Sequence, residues 1–389
     1  MKPILLIFLC YLTSYSEVPF QISHSKDELI LKQEETTTGK LFIDFYEQNR
    51  KLSEHSYSAF LPSPENVKID LPKNPPNNFT ELSALITVLN VNYELEESKL
   101  MFGSGPGQFR EGVSIRGDSF NQIYLVDTAQ EAVLKFDEKL KFIGKFGSFN
   151  IDDSESFDND FANIEEGQFD GINDLVAGPR LTTFISDSRN QRVVEVDSSG
   201  NFVREFSPRD GFDEPTKLQA NQRNEILVLD SENERIVVFN NFGSQVFSIG
   251  GYGKGDHRFL KLIDFIVDLE DNLVCLDQIE KSTLLKKYSR NGRLLKKKKL
   301  KGQYLTIARD YWGHLLLIGD SELRILDSEL RLLEQLFKEP KHILGAESIT
   351  YMDNKKLYSL HNNPGMVRIF NPRLKLLQSK VQLLQNKHE

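Results

Sequence analysis

The stretch "GQFREGVSIRGDSFNQIYLVDTAQEAVLKFDEKLKFIGKFG", residues 107–147, decides the reading of the chain, because residues 167–206, "GQFDGINDLVAGPRLTTFISDSRNQRVVEVDSSGNFVREF", repeat its plan. In the first copy four short runs, 113–116, 122–126, 132–136 and 141–146, alternate apolar with polar residues between turn signals, which predicts four antiparallel strands. A third copy, residues 214–251, reads "EPTKLQANQRNEILVLDSENERIVVFNNFGSQVFSIGG". Weaker copies follow around "DNLVCLD", "GHLLLIGD" and "KKLYSLH".

The end of each second run carries an anchor: Asp127, Asp187, Asp230, Asp277, Asp320 and, in the last copy, His361. Successive anchors lie 60, 43, 47, 43 and 41 residues apart, and the one long interval contains an insertion at 149–166. A period near 40–50 residues with four strands per unit is that of a blade in a radial array. The predicted fold is therefore all-β, a six-bladed β-propeller of four-stranded antiparallel blades. The run "KLFIDFYEQNRKL" at 40–52 leaves a seventh blade open. Ile123, Leu125, Val193, Val196, Ile226, Val228, Leu315 and Leu317 are the expected packing between blades, since one twisted sheet cannot bury both faces alone.

The opening Gly-Gln-Phe, the strand-ending Asp, and the elements Asn190-Gln191-Arg192-Val193 and Asn233-Glu234-Arg235-Ile236 resemble the NHL repeat. The resemblance is specific in the first three copies, patterned in the rest, and covers residues 100–389. It implies a propeller scaffold around a central channel, a fold that hosts both enzymes and binding modules.

Composition narrows the function. A formal charge of −9 argues against nucleic acid as partner, which requires a basic footprint. At the N-terminus, Lys2, an apolar run over 4–12 and small residues before Glu17 read as a signal peptide, 1–16, giving an exported chain with no transmembrane segment once cleaved. Cys10 offers a lesser lipoprotein alternative, against which Phe8 and Leu9 stand. Residues 17–80 read as a polar, Pro-rich extension, with five of the 14 prolines between Pro62 and Pro76, and 81–389 as the propeller. The strand-like run within 82–101 is the natural candidate to complete the last blade. Cys275 lies in an apolar strand and is expected to be structural.

The anchor aspartates are expected to be structural turn acceptors. One face of the array should present Arg189, Asn190, Arg192, Glu232, Arg235, Lys254, Asp256, His257 and Arg258, a candidate binding face for a protein or glycan. At the channel mouth the inner strands begin with Asn173-Asp174, Lys217, Asp264, Thr306 and Glu347-Ser348. Asn173, Asp174, Asp264 and Glu347 are the oxygen ligands that a calcium ion would take, with Lys217 as the competing counter-ion. That set is the basis of an alternative reading, a calcium-dependent hydrolase or lyase resembling lactonases.

The insertion holds seven acidic residues (Asp152, Asp153, Glu155, Asp158, Asp160, Glu165, Glu166) without the register of an EF-hand. A basic run, 286–301, reads as lysines guarding an outer strand. The seven His residues form no zinc pattern, and there is no nucleophile elbow and no P-loop. The leading expectation is a monomeric, exported binding or scaffolding propeller without a cofactor.

Overall fold

The computed structural model describes residues 20–24, 28–33, 39–47, 50–52, 57–61, 67–70, 82–147, 169–333 and 336–383. The signal peptide, Cys10 and the acidic insertion lie outside them. Among the described residues, strands and three short 3₁₀ turns make up the ordered elements, and the chain divides into two compact units.

The larger unit, residues 95–330 and 339–371, is the six-bladed β-propeller. Its first four blades are four-stranded antiparallel sheets with strands in sequence order. The innermost strands are Gly112–Gly117, Ile172–Ala177, Pro215–Ala220 and Leu262–Val267. Thr306–Arg309 and Ser348–Tyr351 open the fifth and sixth blades. Each inner strand lies against the next and the sixth lies against the first, so the ring closes with six members. In the last blade, Ser348–Tyr351 pairs with Leu357–Asn362, which pairs with the start of Gly365–Leu383. The end of Leu82–Leu100 follows in that sheet, and Met101 N donates to Gly365 O at 2.9 Å. An N-terminal strand thus completes the C-terminal blade.

The second strand of a blade is buried at every position in the first three blades, because neighbouring sheets cover both faces. Ile123 and Leu125 pack with Tyr358 and Leu360 of the sixth blade, and Val193 packs with Ile226 and Val228 of the third. Val196 sits in the seam between the first two blades, and Leu315 and Leu317 in that between the fourth and fifth. Phe109, Phe169, Phe212 and Phe259, each five residues before the axial position of its blade, are buried in successive seams. This burial explains the Phe of the Gly-Gln-Phe signature. Cys275 is a buried free thiol in the fourth blade, and burial pushes it far above the usual thiol range.

The smaller unit places strands within the segment 17–80 that the sequence reads as an extension, while Pro62, Pro64, Pro72, Pro75 and Pro76 lie outside the described residues. Phe20–His24, Glu28–Gln33 and Val67–Asp70 form a three-stranded antiparallel sheet, and Gly39–Glu47 pairs with Tyr57–Leu61 and with residues 82–90. Leu29, Leu31, Leu41, Ile43, Phe45, Ala84, Ile86 and Val88 form one core with Leu377 and Val381. The period-2 alternation of these residues gives each strand a buried face. Residues 82–94 and 372–383 therefore belong to this unit and not to the propeller, and 39–47 is no seventh blade.

Candidate functional site

The anchor aspartates tie each second strand to the link that precedes its own blade. Asp127 accepts from Arg110 N and Glu111 N at 2.9 and 3.0 Å, and Asp277 from Leu260 N and Lys261 N at 2.9 and 3.1 Å. Asp187 and Asp230 accept from Asp170 N and Asp213 N at 2.8 and 2.7 Å. The donors are chiefly link amides, where the sequence pointed to the amides of the turn itself. On the other carboxylate oxygen, Asn190 and Arg192 grip Asp187 at 2.9 and 2.8 Å, and Asn233 and Arg235 grip Asp230 at 3.0 and 2.7 Å. The Asn-x-Arg element is thus a clamp. In the fourth blade Lys286 replaces it, 2.9 Å from Asp277. Burial pushes the Asp187 carboxyl up, and the amide, backbone and guanidinium donors pull it back.

Asp320 departs from this series. Ile318 pairs with Thr306 as Leu276 pairs with Asp264, which puts Gly319 at the anchor position and leaves Asp320 exposed beyond it. His361 holds the sixth anchor position, buried, with Nε2 2.8 Å from Ser359 Oγ. Burial lowers its pKa to about 4.

On the axis, the aligned residues are Ser114, Asp174, Lys217, Asp264, Thr306 and Ser348, and they work in alternation. Asp174 accepts Leu218 N of the third blade at 2.9 Å, Asp264 accepts Ile307 N of the fifth at 3.1 Å, and Ser348 Oγ accepts Ile115 N of the first at 3.2 Å. Asp174 also takes Ser114 Oγ at 2.5 Å, Arg116 at 2.6 Å and Leu175 N at 2.8 Å, and Asp264 takes Thr306 Oγ1 at 2.8 Å and Phe265 N at 2.8 Å. Every oxygen of these two buried carboxylates is engaged by protein donors, which offsets the cost of burying charge. Burial still raises the Asp264 carboxyl, opposed by Lys217, the Ile307 amide, Thr306 and Arg116. Glu347 is raised by burial and lowered by Lys217. Asn173 donates to Gly171 O and Ser188 Oγ at 3.0 and 2.7 Å. Of the four residues expected as calcium ligands, Asp174 and Asp264 are engaged in seams, with Arg116 paired to Asp174 and Lys217 acting on Asp264 and Glu347. Among the described residues no three His, Cys, Asp or Glu side chains are gathered as metal ligands.

The candidate binding face separates into two sets. Asn190, Arg192 and Arg235, expected on the binding face, are clamp residues; Arg192 also pairs with Glu205 at 2.5 Å and Arg235 with Asp210 at 2.5 Å. Arg189, beside Asp170 at 2.9 Å, and Glu232 are both exposed. Lys254, Asp256, His257 and Arg258 stand exposed on the link 251–259. From beneath, Lys286 Nζ donates to Gly255 O at 3.2 Å and to Arg258 O, and Tyr288 OH donates to Asp256 O at 2.5 Å. Gly253 at φ 140° donates to Phe259 O at 2.9 Å, a close turn that a side chain would strain. The link 101–109 repeats this geometry, with Gly103 N on Phe109 O at 2.9 Å. The two loops expose Tyr252 (73%) and Phe102 (64%). A pocket of about 320 Å³, lined by Ser104, Pro106, Leu134, Phe142 and Lys145, opens beside the first loop. In the basic run, Lys286 and Lys287 are buried ion-pair partners of Asp277 and Asp268. Lys296 and Lys297, on the outermost strand Leu294–Lys301, pair with Glu329 and Asp256.

Residues 212–309 match the family DUF5128, described as a 6-bladed beta-propeller. No curated protein matches the sequence. Among solved structures, a gluconolactonase from Xanthomonas campestris is 11% identical and covers 75% of this chain and 90% of its own, with a TM-score of 0.50. A putative gluconolactonase is 9% identical over 72% of this chain and 93% of its own, TM-score 0.50. A virginiamycin B lyase from Staphylococcus aureus is 9% identical over 76% and 100%, TM-score 0.48. At such identities the likeness is one of fold, and the chain is a six-bladed β-propeller.

Proposed function

We propose that the protein is an exported, monomeric binding propeller of the NHL type that presents its link face to a protein or glycan partner and needs no cofactor to do so. The observation that carries this reading is the link 251–259. Its backbone is held from below by Lys286 and Tyr288 while Tyr252, Lys254, His257 and Arg258 face solvent. An aromatic ring and cations on a fixed backbone bind at low entropic cost. The calcium-dependent hydrolase alternative needs free oxygens on the axis, and the full engagement of Asp174 and Asp264 weighs against it.

Capture from a native envelope extract tests the reading. Tyr252→Ala combined with Arg258→Glu should lose the captured partner, and Asp320→Asn should keep it. Capture unaffected by the double substitution, or a saturable heat on titration with Ca²⁺ that Asp264→Asn abolishes, overturns it.

A further inference from the structure

At the far end of each blade from the links, the inner strand turns into the second strand; the fifth-blade turn is built like those of the first, third and fourth, around a side-chain oxygen that accepts the amides two and four residues on, and differs in the aromatic side chains it carries. It reads Asp310-Tyr311-Trp312-Gly313-His314. The buried Asp310 carboxylate accepts Trp312 N, His314 N and His314 Nδ1 at 2.9, 2.8 and 2.8 Å, which fixes the turn. Six buried side-chain polar atoms lack a hydrogen-bond partner among the described residues, and three of them are Arg309 Nε, Trp312 Nε1 and His314 Nε2. An unpaired buried polar group costs roughly 1–3 kcal/mol, so three within six residues mark a place where a ligand would restore what folding gave up.

The surroundings say what kind of ligand. Tyr311, 37% exposed, meets the buried Trp312 edge-on at 5.2 Å between ring centroids, and Tyr351 of the sixth blade lies 6.4 Å from Tyr311. Lys355 Nζ sits 5.3 Å from both the Tyr311 and Trp312 rings. The Arg309 guanidinium lies 4.8 Å over Tyr351 and donates to its hydroxyl at 2.6 Å. Neither cation has a carboxylate partner among the described residues, in a chain whose net charge is −9. Leu269 of the fourth blade borders the patch: a Cβ added to Gly313 would stand 2.7 Å from it.

We infer that this patch is a binding site for an acidic saccharide. An aromatic ring takes the apolar face of a sugar, the unpaired Arg309 and Trp312 N–H groups and the His314 Nε2 lone pair take its hydroxyls, and two unneutralised cations take a carboxylate. An acidic peptide supplies the charge but no rigid apolar ring face, and a neutral sugar leaves both cations unanswered. The site lies on the turn face of the fifth and sixth blades, apart from the link face, so either assignment stands or falls without the other.

Trp312 is the single tryptophan of the chain, so its emission reports on the site directly. Titration with a trimer of galacturonic acid should give a saturable emission change. The methyl-esterified trimer and triglutamate should bind more weakly by about ten-fold, as the loss of one charge-assisted contact or of the ring face requires. Lys355→Gln should weaken the acidic trimer by a similar factor, Tyr311→Ala should abolish the response with the fold intact by circular dichroism, and Arg258→Glu should change nothing. No saturable change up to about 10 mM, the limit of meaningful weak affinity, overturns the assignment. Equal binding of the esterified trimer or of triglutamate does so too, as does a folded Lys355→Gln that binds normally.

Discussion

The second and fifth blades share a fold and treat their polar residues in opposite ways. In the second blade, Asp187 is gripped by Asn190, Arg192 and the Asp170 amide, and Asp174 by two hydroxyl and guanidinium donors of the first blade and an amide of the third. In the fifth, glycine stands at the anchor position, the neighbouring Asp320 faces solvent, and Arg309, Trp312 and His314 keep polar atoms unpaired. Where the repeat signature is strong its polar residues are spent on the scaffold. Where it decays, they are left for something else.

The largest effect expected from breaking this contrast is at Asp174. Replacing it by alanine strands Arg116, Ser114 and the Leu218 amide in the closed ring, which should cost about 3–5 kcal/mol in denaturant unfolding. A loss below about 1 kcal/mol would show that the axial carboxylates are not staples.

The sixth blade gives the next test. His361 is held neutral by burial, with a pKa of about 4 against 6.5 when unfolded. As pH falls through 6.5 the unfolded chain takes up a proton that the folded chain refuses, so stability declines until the folded pKa near 4 is passed. The decline should be on the order of 3 kcal/mol and should be removed by His361→Asn, measured as unfolding midpoints between pH 7 and 4. A pH profile unchanged by that substitution refutes the assignment.

A smaller difference separates two aspartates that look alike in sequence. Asp230→Ala should cost about 2 kcal/mol, less than Asp174 because Arg235 keeps Asp210 and Gly211 as partners, whereas Asp320→Ala should stay within about 0.5 kcal/mol. Equal costs would restore Asp320 to the anchor series.

The same contrast explains what could be read in advance. The short apolar runs in "IYLVD", "FISD" and "ILVLD" reveal the second strands and their terminal Asp, because burial on both faces demands unbroken apolar runs. "LLLIGD" misleads by one residue, since register is set by pairing with Thr306 and not by the nearest carboxylate. Arg192 and Arg235 look like surface cations until their fixed spacing, five residues after an anchor and two after an Asn, is taken as a sign that both reach back to one oxygen. Ser114 and Arg116 escape notice because their partner lies in the next blade, and no local pattern announces it. The N-terminal strands were hidden by the prolines between them, although Leu41, Ile43 and Phe45 carry the alternation.

The sixth blade also has a consequence for how the molecule comes into being. Its outermost strand arrives near residue 95 and its others only after residue 347, so the earliest-made piece of the ring must wait unpaired for the last. Five blades can stack while the chain is still emerging, but the circle cannot shut until the strands beyond residue 347 have been made. Until then a slow, non-local closing step governs how long the open edge is exposed to other chains.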